Sequence, residues 1–428
     1  MLYFYICTHN HGTARQLKEH LPPERYPHGD HAMTILYIEW NSFGNEDMKE
    51  AFQAEGHTLV CFPFSNKEGR HDETVESSLM GVLRKESPDI VFSFNYFPLI
   101  SNVCKKADIR YISWVYDSPY VMLYSYTVIN PCNTVYVFDK ELCQEFSQAG
   151  IHTVHYLPMA ANTNRLDELT TDTMPDAPSR PKADAAPGLA RYDVSFVGSL
   201  YTEKHNFFER MTSLSDYTRG YLDALMSTQM NVQGYNFIQD SLSPIMEDLY
   251  KALPMDPNVD GVETREYLYA QYVINRKITG LERAALLSAI TQRHTLDLFT
   301  HDRTYSLPNL INHGPVDNVT QMPLVFKQSR INLNISLRSI KSGIPQRAFD
   351  IMGSGGFLLS NFQADFLDDF IPSEDFDFYE SKEDLLSKID YYLAHEAERQ
   401  AIAANGHNKI AAAHTYRHRV REMLSQLP

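Results

Sequence analysis

Residues 336–360 read SLRSIKSGIPQRAFDIMGSGGFLLS. The pattern predicts the end of a strand, a flexible loop, a helix that begins near Pro345, a glycine turn and a second strand. The amides of Ser342 and Gly343 would then lie at the positive end of the helix dipole, where a diphosphate is stabilised. The stretch therefore predicts an α/β domain with an anion site at the start of a helix.

Two charged residues of this helix are three positions apart. Arg347 and Asp350 should share one face, so the arginine can reach phosphate oxygens while the carboxylate accepts hydrogen bonds from a ribose diol. The alternative is an ordinary surface ion pair, worth about 0.3 kcal/mol, beside glycines that only form a turn.

The rest of the chain supports an α/β architecture. From Met33 onward, strands rich in Val, Ile, Phe and Tyr alternate with short helices, which favours parallel sheets covered on both faces. We predict two Rossmann-like, doubly wound domains that face a cleft. The predicted parts are a poorly defined extension (1–32), a first domain (33–161), a proline-rich linker (162–191), a second domain (192–400) with a helical insertion (about 205–292), and a C-terminal helix (401–428).

Composition narrows the function. The 428 residues carry 38 Lys and Arg against 54 Asp and Glu, a net charge of −16, so a broad nucleic-acid-binding surface is not expected. The five cysteines form no C-x-x-C pair, and no stretch approaches the roughly 18 apolar residues of a transmembrane helix. A cytoplasmic protein is predicted.

The signature stretch also resembles a known family. Residues 347–360, RAFDIMGSGGFLLS, resemble the Arg-x-Phe-Glu-x-x-Ala-x-Gly signature of the GT-B glycosyltransferases, specifically the bacterial CgeB-like, spore-maturation group. Further similarity lies in RINLNIS (330–336), HTYR (414–417), IEWNSFG (38–44) and WVYDSP (114–119), and it extends over residues 33–428. Two positions differ: Asp350 replaces Glu, and Ser342 stands where many retaining members carry a second Glu.

The resemblance implies a nucleotide-diphosphate sugar held by the second domain. It places Asp350 at the ribose, Arg347 at the phosphates and the departing diphosphate, and Gly198 with Ser199 in the loop after that domain's first strand. It also implies that neither a metal nor another cofactor is needed, and no Asp-x-Asp motif flanks a predicted strand end. The remaining donor-binding candidates are Arg338, Lys341, Ser342, Gly343 and Gly355.

The acceptor would occupy the first domain. Asp117 follows a predicted strand and could accept a hydroxyl proton. The alternative is an Asp-Ser-Pro turn in which the side chain caps the next segment, which is a common use of Asp. Ser42 and Gly44 would bring backbone close to a substrate, or would simply begin a helix. Tyr116 and Tyr120 could form a stacking surface for a sugar, or could pack in the core.

We predict a glycosyltransferase that acts on a hydroxyl of a glycan or protein acceptor. The alternatives are a nucleotide-sugar epimerase or hydrolase on the same fold, and a non-catalytic surface or spore-assembly protein. The predicted partners are a nucleotide sugar and the acceptor, without nucleic acid or a transmembrane segment, and a peripheral role in cell-envelope assembly stays open.

Overall fold

The computed structural model describes residues 32–65, 69–170, 190–202 and 206–426. The compact unit begins at Ala32, so the predicted N-terminal extension lies almost entirely outside the described residues. Most of the predicted linker, residues 171–189, also lies outside them. Within this unit the chain forms two six-stranded parallel sheets.

The first sheet is built by the N-terminal half of the chain. Its strands are β1 (Thr34–Glu39), β2 (Thr58–Pro63), β3 (Ile90–Phe94), β4 (Arg110–Val115), β5 (Asn133–Val137) and β6 (Val154–Tyr156). The associated helices are α1 (Asn45–Ala54), α2 (Glu73–Glu86), α3 (Pro98–Ala107), α4 (Lys140–Gln148) and α5 (Thr163–Glu168). The strand order is β2-β1-β3-β4-β5-β6. The central strand β3 is buried along its whole length, as expected for a parallel strand covered on both faces.

The second sheet follows the linker. Its strands are β7 (Tyr192–Val197), β8 (Leu296–Phe299), β9 (Leu310–Asn312), β10 (Ser329–Asn334), β11 (Leu358–Asn361) and β12 (Asp377–Tyr379), in the order β12-β11-β10-β7-β8-β9. The helices are α6 (Asp216–Met230), α7 (Met246–Ala252), α8 (Arg265–Leu268), α9 (Asn275–Thr291), α10 (Met322–Lys327), α11 (Gln346–Gly353), α12 (Phe366–Asp369), α13 (Lys382–Ala394), α14 (Glu396–Ala413) and α15 (Tyr416–Ser425).

Each sheet has one point where the chain reverses its direction of winding. In the first sheet this point lies between β1 and β3, and in the second between β7 and β10. In open α/β sheets, ligands bind beyond the carboxyl ends of the strands at such points. The loops after β7 and β10 are therefore the expected binding loops of the second domain.

The helical insertion contains α6 to α9, with a π-helical segment, Tyr269–Ile274, leading into α9. Its residues 258–264 cross to the first domain. The Tyr126 amide donates to the Asp260 carbonyl (2.9 Å), the Val262 amide donates to the Tyr124 carbonyl (2.8 Å), and Arg70 pairs with the Asp260 carboxylate (2.5 Å). The insertion thus belongs to the second domain in sequence but also forms part of the wall of the first.

The C-terminal segment differs from the single helix predicted for 401–428. The structure has α14, a break at His414–Thr415, and α15, which Thr415 caps. The ring of Tyr416 lies 5.9 Å from that of Trp114 in β4, and Arg417 and Arg421 both bind Glu55. The end of the chain therefore packs on the first domain. Among the described helices, none combines the length and the apolar character required to cross a bilayer.

Candidate functional site

The loop after β7 lies at the winding reversal of the second domain. Gly198 follows the last residue of β7, and a Cβ added to it would lie 3.2 Å from both terminal nitrogens of Arg347. The missing side chain allows the Arg347 guanidinium to lie against the backbone. The structure thus brings Gly198 and Arg347 together, although they are far apart in sequence.

Arg347 has a charge without an acceptor. Its guanidinium makes no hydrogen bond or ion pair with the described residues, and its Nε is buried without a partner. Burial, followed by repulsion from Arg283, lowers the pKa of Arg347 to about 10. A guanidinium that has lost water without gaining an acceptor is destabilised, and an anionic ligand would relieve that cost.

Helix α9 adds two further arginines, which the sequence analysis missed. Arg276 and Arg283 are seven residues apart and so lie on one face of the helix. The Arg276 guanidinium lies 5.9 Å from the centre of the Tyr201 ring, that of Arg283 lies 4.9 Å from it, and the Nε of each is buried without a partner. Neither arginine is in an ion pair with a carboxylate of the described chain. The i, i+7 spacing was the available signal, but it indicates a shared face without indicating what the face contacts.

Close packing holds α9 against the loop. A Cβ on Gly280 would lie 3.2 Å from the Leu200 carbonyl oxygen, so the glycine permits this contact. Arg283 donates to the carbonyl oxygens of Ser199 and, at 2.5 Å, of Ile335. It thereby connects the loop after β7 with the loop after β10. Gly198 and Ser199 therefore lie at a strongly basic point of the second domain.

Asp350 lies one turn beyond Arg347. It forms no ion pair with Arg347, so the surface-pair alternative is not observed between these two described residues. Its Oδ1 accepts a hydrogen bond from Gln346 Nε2 (2.8 Å). Burial, with a smaller contribution from Asp47, raises the pKa of Asp350 to about 7, although the Gln346 hydrogen bond and the charges of Arg165 and Arg347 oppose the shift. The interaction with Arg347 places both side chains in one electrostatic environment.

The amides before α11 are occupied by the first domain. Asp139, which caps α4, accepts hydrogen bonds from the amides of Lys341 (2.7 Å) and Ser342 (3.3 Å) and from the Ser342 hydroxyl (3.0 Å). A Cβ on Gly343 would lie 2.9 Å from the Asp139 Cα. Ser342 and Gly343 were predicted to bind the donor; here the carboxylate of Asp139 fills the anion position.

The other donor-binding candidates are also engaged elsewhere. Arg338 binds Glu282 through two hydrogen bonds of 2.9 and 2.6 Å, and Lys341 is ion-paired with Glu145. Gly355 has a φ of +77° and its amide donates to the Met352 carbonyl, so it forms the turn that ends α11. This turn precedes β11, so Gly355 lies at the amino edge of the sheet, opposite the basic loop. These contacts favour structural roles for all three residues.

Asp117 lies beyond the carboxyl end of β4 and opens into the cleft. Its Oδ2 accepts a hydrogen bond from Asn95 Nδ2 (2.7 Å), and Asn95 lies just beyond β3. Burial raises the pKa of Asp117, while the Asn95 hydrogen bond and Arg276 lower it. Arg276 belongs to the second domain, so the effect places the basic group and this carboxylate near each other.

The acceptor candidates have mixed surroundings. Gly44 is the N-cap of α1, and a Cβ on it would lie 2.8 Å from the Phe94 ring. The ring of Tyr116 packs 4.6 Å from that of Phe43, and the Ser42 hydroxyl lies beside its phenol. Tyr120 donates to the Tyr96 carbonyl (2.8 Å) and lines a cavity between the domains together with Asp117. Of these residues, Tyr120 has the most direct access to a ligand.

Two facing Rossmann-like domains, each built on a parallel sheet with one winding reversal, define the GT-B class of fold. The fold prediction is therefore confirmed. Over the described residues, no group of three His, Cys, Asp or Glu side chains is placed to hold a metal ion.

Comparisons with known proteins give one family-model match and several similar solved structures. Residues 279–425 match the family model described as glycosyl transferase-like. The chain is similar to Anabaena Alr3699/HepE in complex with UDP-glucose, with a TM-score of 0.50 and 10% identity over 92% of this chain and 100% of that one. The chain is also similar to a glycosyltransferase from Rickettsia africae, with a TM-score of 0.49 and 13% identity over 92% of this chain and 97% of that one. For sucrose-phosphate synthase from Thermosynechococcus elongatus, the TM-score is 0.49 and the identity 11%, over 92% of this chain and 98% of that one. A search of curated protein sequences finds no match.

Proposed function

We propose that the protein is a glycosyltransferase that moves a sugar from a nucleotide-diphosphate donor to a hydroxyl of a glycan or protein acceptor, without a metal. The observation that carries the proposal is the guanidinium of Arg347, which lies against Gly198 without an acceptor among the described residues. Arg283 adds positive charge beside it, and Arg276 lies on the same face of α9 near the Tyr201 ring. A diphosphate is the ligand that such a site would stabilise.

In this proposal the arginines take over the role of a divalent cation. Breaking the glycosidic bond of the donor leaves negative charge on the diphosphate, and fixed positive charge in a poorly solvated site stabilises that charge as it develops. Asp350 accepts hydrogen bonds from the ribose hydroxyls. Its position on the same helix as Arg347 sets the spacing between ribose and phosphate.

Asp117 is the proposed general base. Its carboxylate opens into the cleft, and burial raises its pKa toward the range in which a carboxylate accepts protons effectively. The acceptor hydroxyl would lose its proton to Asp117 as its oxygen attacks the anomeric carbon. The finer assignment to the CgeB-like, spore-maturation group rests on the signature around Arg347.

Nucleoside diphosphate binding tests the proposal. Isothermal titration with UDP, GDP, ADP and TDP should reveal one micromolar ligand, and Arg347→Ala should weaken it at least tenfold because two charge-assisted hydrogen bonds are lost. UDP is the first probe, since HepE was crystallised with UDP-glucose.

Arg110→Ala is the matched control, because Arg110 is exposed at the amino end of β4, away from the cleft. Equal affinities for the wild type and Arg347→Ala would refute the assignment of Arg347. Failure of all four diphosphates to bind would refute the glycosyltransferase. Release of free sugar that does not respond to any acceptor would instead indicate a hydrolase.

A further inference from the structure

A cavity of about 200 Å³ lies between the two domains, beside Asp117. The first domain contributes Tyr120 and Tyr124 to its wall, and the helical insertion contributes Glu263 and Tyr267. We call these four residues the tyrosine pocket. Both domains thus build one recess next to the proposed general base.

The insertion holds the pocket in a fixed shape. The Val262 amide donates to the Tyr124 carbonyl, which joins the residue before Glu263 to the first domain. The Ser125 hydroxyl donates to the Asp260 carboxylate (2.7 Å) on the same crossing segment. The facing walls are therefore connected by one backbone and one side-chain hydrogen bond in the segment that leads into Glu263.

Glu263 is a buried carboxylate without a cation. It is 4% exposed, and its Oε1 accepts hydrogen bonds from the Asn258 amide (2.8 Å) and the Asn258 side chain (2.6 Å). Its Oε2 has no partner, and no Lys, Arg or His of the described chain pairs with it. A buried carboxylate that lacks a compensating positive charge is costly, so a cationic ligand group would stabilise the pocket.

The aromatic rings favour the same kind of ligand. The rings of Tyr124 and Tyr267 lie 4.3 Å apart. Burial raises the pKa of both phenols and Glu263 adds to the shift, so the carboxylate lies close to both rings. Tyrosine faces attract ammonium groups, with the largest gain in desolvated sites. The positive side chain that lines the cavity, Lys341, is already neutralised by Glu145.

We propose that the tyrosine pocket recognises a primary ammonium group on the acceptor. The inference rests on the proposed function, because the pocket lies beside Asp117, where the acceptor hydroxyl would react. The acceptor is therefore an amino-bearing sugar or a similar hydroxylated amine. Its ammonium group lies against Glu263 and the tyrosine rings while a hydroxyl faces Asp117.

Direct binding tests this inference with three sugars of nearly the same shape. Glucosamine, with its amine protonated, should bind the full chain at least tenfold more tightly than N-acetylglucosamine or glucose. Glu263→Gln, which keeps the shape and removes the charge, should weaken glucosamine at least tenfold. Glu247→Gln is the matched control, because Glu247 is an exposed carboxylate on α7 of the same insertion.

Similar affinities for the three sugars, no detectable glucosamine binding, or unchanged affinity in Glu263→Gln would overturn the inference. If Glu263→Gln does not fold, the comparison of sugars on the wild type still decides. UDP titration of the same samples separates the two proposals. Binding of UDP without discrimination among sugars rejects the ammonium pocket alone, whereas selective glucosamine binding without any diphosphate binding rejects the glycosyltransferase.

Discussion

Burial sets the chemistry of single residues at this site. Arg347 and Asp350 would be ordinary surface charges on an isolated helix, but between the two domains their pKa values shift toward each other, to about 10 and about 7. The pKa of the arginine falls because water is removed and Arg283 is near, and that of the aspartate rises because water is removed. Both shifts mark a site that a ligand with the complementary charge and donors would stabilise.

The raised pKa of Asp350 predicts pH-dependent donor binding. Only the ionised carboxylate accepts hydrogen bonds from both ribose hydroxyls, so the affinity of the wild type for UDP-glucose should increase as pH rises from about 6 to about 8. Asp350→Asn should remove this increase and bind about tenfold more weakly at the upper end. Isothermal titration across this pH range provides the measurement, because UDP-glucose itself keeps a constant charge there.

The same group affects stability with a defined sign. Its folded pKa lies above the ordinary value of 3.8, so its contribution to the free energy of unfolding is full below that value and is lost as pH rises through about 7. Asp350→Asn should flatten this part of the stability profile. Asp223→Asn, at an exposed position on α6, should retain both pH dependences. An unchanged UDP-glucose profile in Asp350→Asn would show that Asp350 does not face the donor.

At the scale of elements, glycines decide how closely neighbouring segments approach. Gly280 brings α9 against the loop after β7, and Gly343 brings the loop before α11 against Asp139. A side chain at either position would meet backbone atoms, which yield less readily than the end of a flexible side chain. These two contacts position the basic loop and the domain junction.

Gly343→Ala tests the second contact. Its Cβ would lie 2.9 Å from the Asp139 Cα and 2.9 Å from the Phe138 ring, so we expect a loss of about 1–3 kcal/mol in the free energy of unfolding. The control is Gly81→Ala within α2, where the added Cβ has no neighbour within 4 Å. That change should stabilise the protein by about 0.5–1 kcal/mol through helix propensity. Urea denaturation measures both, and equal effects would contradict the packing argument.

For the whole molecule, the junction between domains depends on a few buried polar groups. Asp139 joins the start of α4 to the loop before α11, and Asp365 accepts a hydrogen bond from the Lys140 amide (3.0 Å). On another side of the cleft, Arg70 pairs with Asp260 of the insertion. The relative position of the domains, and so the shape of the cleft, is held by these polar contacts as well as by the shared apolar core.

Asp139→Ala should loosen the junction. The variant loses a helix cap, worth about 1 kcal/mol, and the hydrogen bonds to Lys341 and Ser342, so we expect a total loss of about 2–4 kcal/mol. Small-angle X-ray scattering should show a larger radius of gyration. The matched control is Asp72→Ala, which removes the cap of α2 without breaking a contact between domains. Asp72→Ala should cost about 1 kcal/mol and leave the radius of gyration unchanged. An equal radius of gyration for both variants would show that Asp139 does not hold the two domains together.

The sequence by itself determined the alternation of strands and helices, the helix that carries Arg347 and Asp350, and the helical character of the insertion. These features depend on apolar periodicity and on residues within about four positions of each other. Short strands such as β9 and β12, with three residues each, fell below that signal. The break between α14 and α15 was also missed, because it spans only two residues, His414 and Thr415.

Only the tertiary structure decided which charges are neutralised and which remain free. Asp139 and Lys341 are 202 residues apart in sequence, so no local pattern reveals that the carboxylate occupies the predicted anion position. The positions of Arg276 and Arg283 beside the Tyr201 ring likewise depend on segments distant in the chain. So does the crossing of the insertion that brings Glu263 to the cleft. Ion pairing and burial are properties of the assembled fold, because both depend on which side chains and how much water surround a charge.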